Sequence, residues 1–281
     1  MGRLIIKRPG LFTSVQDLGR KGFRRFGVPE SGAMDKVSAQ MANLLVNNEP
    51  EAPTLEITMQ GPTLLFEGDT VIALAGANLS PTLDGNEMAL NTPIQVGSGQ
   101  ILTFGRPQKG IRCYLAVSGG FMVDSILGSA SWYPPVTEKG KVERGDSIRY
   151  PTVSEMPSPN SRVSMRQPGN PKLQVYTGPE YKLLHSTQQE FLLKSIFSIG
   201  ENNRMGYQLS AETSIQNELC IITSPVIPGT IQLTPSGTLL VLMRDAQVTG
   251  GYPRVLQLDE ESINWLAQKG TGEKVDFLFR E

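Results

Sequence analysis

Glycine and proline punctuate this chain 29 and 20 times, dispersed rather than clustered, and short runs of Val, Ile, Leu, Thr and Phe recur between them. Such spacing leaves room for strands and turns, and it predicts a mainly β fold. Runs at residues 4–7, 54–58, 70–74, 100–104, 173–176, 218–223 and 239–243 read as strands, most being too short for helices. Three segments carry helical spacing behind a start signal. Asp35 caps one that buries Val37, Met41, Leu44 and Leu45; Ser186 with Gln189 forms a capping box ahead of Phe191 and Leu192; Asp259 precedes Ile263, Leu266 and Ala267.

Residues 151–171 hold five prolines and four serines and read as a linker between two β-barrel domains, residues 1–150 and 172–281. The halves echo each other. Leu55-Glu56-Ile57-Thr58 leads to Gly61-Pro62, and Leu173-Gln174-Val175-Tyr176 leads to Gly178-Pro179. Gly145-Asp146-Ser147-Ile148 and Gly272-Glu273-Lys274-Val275 each place an acid after a turn glycine, then alternate. Any turn-to-strand step shares this pattern, so tandem related barrels and coincidence both fit.

The formal net charge of -1 over 281 residues gives no overall field for nucleic acid. A single histidine, His185, excludes His-pair zinc motifs, and two distant cysteines, Cys113 and Cys220, are too few for a Cys-rich metal site; no metal is expected. Both cysteines lie in apolar runs and are expected as buried thiols on strands, and His185 is expected at the surface or in a cap. Charge returns at Lys7 and Arg8, and no stretch approaches ~18 uncharged apolar residues, so a soluble cytoplasmic chain is expected.

Two stretches are dense in chemistry. In residues 15–35, Asp17, Arg20, Lys21, Arg24 and Arg25 are interleaved with glycines, and Ser31-Gly32-Ala33-Met34 enters the helix capped by Asp35. Free N–H groups near that helix start suit a phosphate or carboxylate. A solvated glycine-rich hairpin with an ordinary cap fits the same residues. In the other half, Asn203-Arg204-Met205-Gly206-Tyr207 and Arg244-Asp245 precede Gly250-Gly251-Tyr252. Asp245 follows an apolar strand, where a carboxylate emerges into a cleft, and Tyr252 offers a stacking face. A glycine hairpin whose Asp245 accepts turn N–H groups accounts for it equally. Neutralising Asp245 or truncating Arg204 is expected to cost activity more than stability.

Familiar signatures are missing. Gly105 to Gly110 has the spacing of a phosphate loop but is followed by Ile111-Arg112 rather than Lys-Ser/Thr. Ala116-Val117-Ser118-Gly119-Gly120 has alanine where a nucleophile elbow needs glycine.

The motifs Gln16-Asp17-Leu18-Gly19-Arg20, Gly27-Val28-Pro29, Ser31-Gly32-Ala33-Met34-Asp35, Leu55-Glu56-Ile57-Thr58, Tyr114-Leu115-Ala116-Val117, Asn203-Arg204-Met205-Gly206-Tyr207, Pro228-Gly229-Thr230-Ile231-Gln232 and Thr249-Gly250-Gly251-Tyr252-Pro253 run in order along nearly the whole chain. Together they resemble the family of the 5-oxoprolinase C subunit, also called KipA-like and formerly allophanate hydrolase subunit 2. The resemblance implies two tandem cyclophilin-like β-barrels, similar to part of the carboxyltransferase region of urea carboxylase. It implies two partners, one KipI-like (the B subunit) and one LamB/YcsF-like (the A subunit). It further implies ATP-dependent opening of 5-oxo-L-proline to L-glutamate by the complex, the single chain being inactive. Opening a lactam this way needs cations for phosphate oxygens and carboxylates for protons. Asp17, Asp35 and Asp245 are the candidate catalytic carboxylates, and Arg20, Ser31, Gly32, Arg204, Gly250, Gly251 and Tyr252 the candidate substrate or phosphate ligands.

Departures stand beside the matches: Ala130 in Leu127-Gly128-Ser129-Ala130-Ser131 occupies a usual arginine position, Asn78 a usual aspartate, and Thr223-Ser224-Pro225 a usual Ser-Glu-Gly. Two alternatives accompany the main reading. One is a urea-carboxylase-like carboxyltransferase component, whose biotin would come on another chain because no Ala-Met-Lys-Met segment occurs here. The other is a KipA-type regulator that binds a KipI-like kinase inhibitor.

Overall fold

A computed structural model describes residues 1–153, 155–156, 172–213 and 215–280. Most of the linker expected at 151–171 lies outside the described residues. The described chain is mainly β, with three α-helices. Among the described residues no helix is long and apolar enough to cross a membrane. Two compact units emerge: Met1–Arg20 joins the chain from Ser31 onward in the first, and Lys21–Glu30 joins the C-terminal part in the second. The basic segment expected with the N-terminal domain therefore packs with the C-terminal unit.

In the first unit, a six-stranded sheet runs in the order Ser147–Tyr150, Gly2–Arg8, Thr63–Glu67, Ile101–Phe104, Pro81–Leu83, Asn86–Glu87. A five-stranded sheet runs Phe12–Gln16, Thr54–Thr58, Lys109–Val117, Thr70–Asn78, Ile94–Val96. Side chains from both sheets share one core, including Leu4, Ile6, Leu55, Ile57, Leu64, Phe66, Ile72, Leu74, Leu115 and Val117. Strand alternation explains the central run Val71-Ile72-Ala73-Leu74-Ala75, which is apolar throughout because both of its faces are covered. Ile72 and Leu74 enter the shared core; Val71, Ala73 and Ala75 turn outward to helix α1 (Lys36–Leu45).

The expected buried face of α1 needs correction. The helix buries Ala39, Met41 and Ala42, leaving Val37 exposed and Leu44 and Leu45 half-buried. Its seat is lined by Ala73, Ala75 and Ala116, and small residues on both sides let the helix approach closely.

The second unit is built on an eight-stranded sheet whose edge strands, Lys274–Val275 and Phe277–Phe279, are separated only by Asp276, with a two-stranded sheet, Ser224–Pro225 on Thr249–Gly250, beside it in the chain. Consecutive residues at opposite edges mean that the sheet curls nearly closed. Closure differs between the two units: the opening strand Gly2–Arg8 pairs antiparallel with Ser147–Tyr150, whereas Leu173–Thr177 pairs parallel with Phe277–Phe279. Gly145 precedes Ser147–Tyr150 and Gly272 precedes Lys274–Val275, at φ of 92° and 87°, left-handed values that favour glycine.

Two further expectations shift. Helix α2 (Ser186–Lys194) starts one residue earlier than its presumed box: His185 is the N-cap, and its N–H donates to Gln188 Oε1 at 2.9 Å. Residues 218–223 form no strand, and Cys220 is exposed rather than buried. The cause is Asn217, whose side chain accepts from Leu219 N and donates to the carbonyls of Leu219 and Leu233, capturing backbone groups that a ladder would need. Ile222 consequently stands 91% exposed. Cys113 does lie buried on Lys109–Val117, with burial pushing its thiol up to about 12, which leaves it unreactive. Helix α3 (Glu260–Leu266) begins as expected, with Ser262 N donating to Asp259 Oδ1 at 2.7 Å.

Candidate functional site

In the first unit the strand Phe12–Gln16 delivers Asp17 into a turn, where its carboxylate is fully engaged. Oδ1 accepts from Gly19 N at 2.7 Å, Ser129 Oγ at 2.7 Å and Ser131 Oγ at 2.5 Å, and Oδ2 accepts from Ala130 N at 2.7 Å. Asp17 thus ties Ser129-Ala130-Ser131 to the end of the strand, a segment the sequence marked only for its departure at Ala130. The buried Arg20 guanidinium donates through Nη2 to Ser131 O, so the same segment holds the candidate cation.

The loop leading into α1 is pinned from two sides. Gly32, at φ of 90°, lies so close to the chain that a Cβ there would sit 2.7 Å from Gly19 N, and Ala33 N donates to Asp17 O at 2.8 Å. From beneath, Met34 N donates to Glu56 Oε2 at 2.7 Å and Asp35 N to Tyr114 Oη at 2.7 Å, while Tyr114 Oη donates to Glu56 Oε2 at 2.9 Å. Arg112 Nε lies 4.0 Å from Glu56 Oε1, completing a buried ionic cluster. Burial, then the carboxylates of Glu56 and Asp35, pushes the Tyr114 hydroxyl well above its ordinary value, so it remains a protonated donor. Asp35 is the α1 cap, accepting from Ser38 N at 3.2 Å and Ser38 Oγ at 2.6 Å.

The N–H groups of Ala33, Met34, Asp35 and Ser38 all have protein acceptors. What remains is Ser31. It is buried, its Oγ has no hydrogen-bond partner among the described residues, and its φ is 56°. A non-glycine residue in that region costs about 1–3 kcal/mol, and an unsatisfied buried hydroxyl adds to it. Both penalties fall on this one residue.

In the second unit, Asn203 Oδ1 accepts from Met205 N and Gly206 N in a tight turn that exposes Met205 and turns Arg204 inward. Arg204 and Asp245, expected in separate roles, are bound to each other: Nε donates to Oδ2 at 2.7 Å and Nη2 to Oδ1 at 3.0 Å. A Cβ at Gly250 would fall 2.6 Å from Gln232 Nε2, which donates to Tyr252 O, so that side chain would have to shift. Gly251 has more space, and Tyr252 is partly exposed. Sequence reasoning missed Glu56, Tyr114 and Arg112, and in the second unit Arg244 on Glu260 and Asn264 and Arg254 on Glu180. Glu56 and Tyr114 already lay inside motifs noted in the sequence; a charged residue at an alternating position of an otherwise apolar strand was the available signal.

Comparison with known proteins follows the same lines. The family described as carboxyltransferase domain, subdomain A and B, matches residues 26–279. The 5-oxoprolinase C subunit from Escherichia coli is 37% identical, the match covering 98% of this chain and 90% of that protein. The crystal structure of TTHA0988 superposes with a TM-score of 0.88 at 29% identity over 99% of this chain and 55% of that one. Kluyveromyces lactis urea carboxylase gives 0.87 at 27% identity over 99% of this chain and 27% of that one. The chain therefore spans about half or less of the solved structures it matches.

Proposed function

Because this chain belongs to the carboxyltransferase-domain family, subdomain A and B, with a full-length C subunit of 5-oxoprolinase among its relatives, we propose that it is the C subunit of an ATP-dependent 5-oxoprolinase. The reaction opens the lactam of 5-oxo-L-proline to L-glutamate, in a cytoplasmic complex with KipI-like and LamB/YcsF-like subunits. The similarity along nearly its entire length carries this reading. Two free cysteines among the described residues agree with a reducing compartment.

A lactam carbonyl is a poor electrophile, and ATP at the level of the complex supplies the phosphoryl group that activates it. In this chain Arg20 and Ser31 fit the anionic part of such a substrate, one as a buried cation and the other as an unsatisfied hydroxyl. Gly32 permits the close backbone approach, and Gly250, Gly251 and Tyr252 offer a second candidate surface. Asp17 and Asp35 serve by holding the loops that carry Arg20 and Ser31. Asp245 serves by fixing Arg204.

The test is to assay the chain alone and co-purified with those two other subunits for glutamate formed from ATP and 5-oxoproline. The complex is expected to turn over and the single chain to be silent; turnover by the chain alone, or none by the complex, overturns the reading. A second reading, a carboxyltransferase component acting on biotin carried elsewhere, is favoured by the shared fold of urea carboxylase. Carboxyl transfer by the complex with no glutamate formed would select it.

A further inference from the structure

We propose that Glu56 and Tyr114 are positioning residues that hold Ser31 in its ligand-facing conformation, by fixing the two backbone N–H groups at the far end of its loop. The proposal rests on the reading of Ser31 as a ligand-binding residue.

The two side chains come from neighbouring strands, Thr54–Thr58 and Lys109–Val117, and are direct cross-strand partners in register. On each strand their neighbours, Leu55 and Ile57 or Cys113 and Leu115, enter the shared core. Alternation sends Glu56 and Tyr114 to the other face, beneath α1, into an apolar layer that includes Ala39, Met41, Ala42, Val71, Ala73 and Ala116. A carboxylate there is a poor choice for stability, because an apolar residue of similar volume would pack without a desolvation cost. What the carboxylate does instead is specific. With the tyrosine hydroxyl it accepts two successive loop N–H groups, Met34 at Glu56 and Asp35 at Tyr114, and the tyrosine proton closes the triangle.

Nearer to Ser31 the same loop is fixed by Gly32 against Leu18 and Gly19 and by Ala33 N on Asp17 O. Ser31 precedes both anchors and is held at φ of 56° with its hydroxyl unused by the described chain. Loosening the far anchor would let Ser31 relax toward an ordinary backbone conformation and move Oγ away from its ligand. Burial reinforces the device, since a Tyr114 hydroxyl that never ionises near neutral pH keeps donating to Glu56.

The experiment has two arms. In the assembled complex, Ser31→Ala, Tyr114→Phe and the double variant are compared by kcat/KM. Each single change is expected to cost about tenfold, and the double change no more than the larger single one, because both remove the same interaction. Losses that multiply to about a hundredfold would overturn the proposal. In the isolated chain, amide hydrogen exchange is followed over residues 31–35 in wild type, Tyr114→Phe and Glu56→Gln. Exchange there is expected to speed up by about tenfold in Tyr114→Phe while the strands and the rest of α1 stay protected. Unchanged exchange overturns the proposal, whatever the enzyme assay gives. Should the wild-type complex not open 5-oxoproline, the functional reading fails and the exchange arm still decides the clamp. Tyr114→Phe keeps the ring packing, so it remains informative if Glu56→Gln does not fold.

Discussion

The Arg204 guanidinium closes on the Asp245 carboxylate through two parallel hydrogen bonds, Nε to Oδ2 at 2.7 Å and Nη2 to Oδ1 at 3.0 Å, with both side chains buried. Their backbones are joined as well, Asp245 N donating to Arg204 O at 2.9 Å. A paired charge of this kind joins the 203–206 turn to the end of the strand Leu239–Leu242. The sequence alone favoured a functional charge whose loss spares stability; the pairing adds an expected cost in stability. Arg204→Ala or Asp245→Asn leaves the other charge buried without its counter-ion and is expected to cost about 3–5 kcal/mol. Denaturant unfolding measures it directly. The double variant should lose clearly less than the sum of the singles, and additive losses would contradict the pairing.

Ser31 and Gly32 share left-handed backbone but should respond oppositely to substitution. Ser31→Gly removes a side chain from a conformation that glycine adopts freely, and stability is expected to hold or rise by up to about 1 kcal/mol while turnover of the complex falls. Gly32→Ala introduces a Cβ at 2.7 Å from the Gly19 backbone and should destabilise by more than about 1 kcal/mol. Thermal unfolding of the two variants beside wild type settles the signs.

Where alternation carried the information, the sequence was readable. The strand Thr54–Thr58 matches the run read from the sequence, and Asp35 and Asp259 cap the helices they were assigned. Legibility ended where long-range partners decide the outcome. The apolar run at 219–222 looked like core, but Asn217 redirects its backbone from within a turn. Two of the N–H groups leading into α1 are taken by Glu56 and Tyr114, which lie 22 and 79 residues away in sequence. Asp17 and Arg20 were correctly singled out as unusual, yet their shared contact with Ser131, more than 110 residues on, could not be inferred from local spacing.

Asp17 is expected to matter for order as much as for chemistry. Asp17→Ala strips the acceptor from Ser129 Oγ, Ser131 Oγ, Ala130 N and Gly19 N together, and should cost at least about 2 kcal/mol. Asp17→Asn keeps one carbonyl oxygen and should lose less. Denaturant unfolding gives the cost, and amide exchange over residues 126–131 should rise in Asp17→Ala. Full stability with unchanged exchange would show that this carboxylate does not hold the segment.

The second unit contains an ion pair whose pH signature can be read without any substrate. Glu180 accepts from Arg254 Nε at 2.9 Å, Nη2 at 2.7 Å and the Arg254 backbone N–H at 2.9 Å. Hydrogen bonding from the Arg254 side chain, against a smaller opposing effect of burial, holds the Glu180 carboxyl below its ordinary 4.5. In the unfolded chain the ordinary value returns, so at acid pH the unfolded state takes up the proton first. The pair's contribution is therefore complete above about pH 4.5 and is lost as pH falls through the lower, folded-state value. Unfolding midpoints of wild type and Glu180→Gln, compared from neutral pH down to about pH 3, should differ by a constant amount at neutral pH and converge at the acid end. A gap that stays constant at every pH would show that the Glu180 charge contributes nothing to holding Arg254.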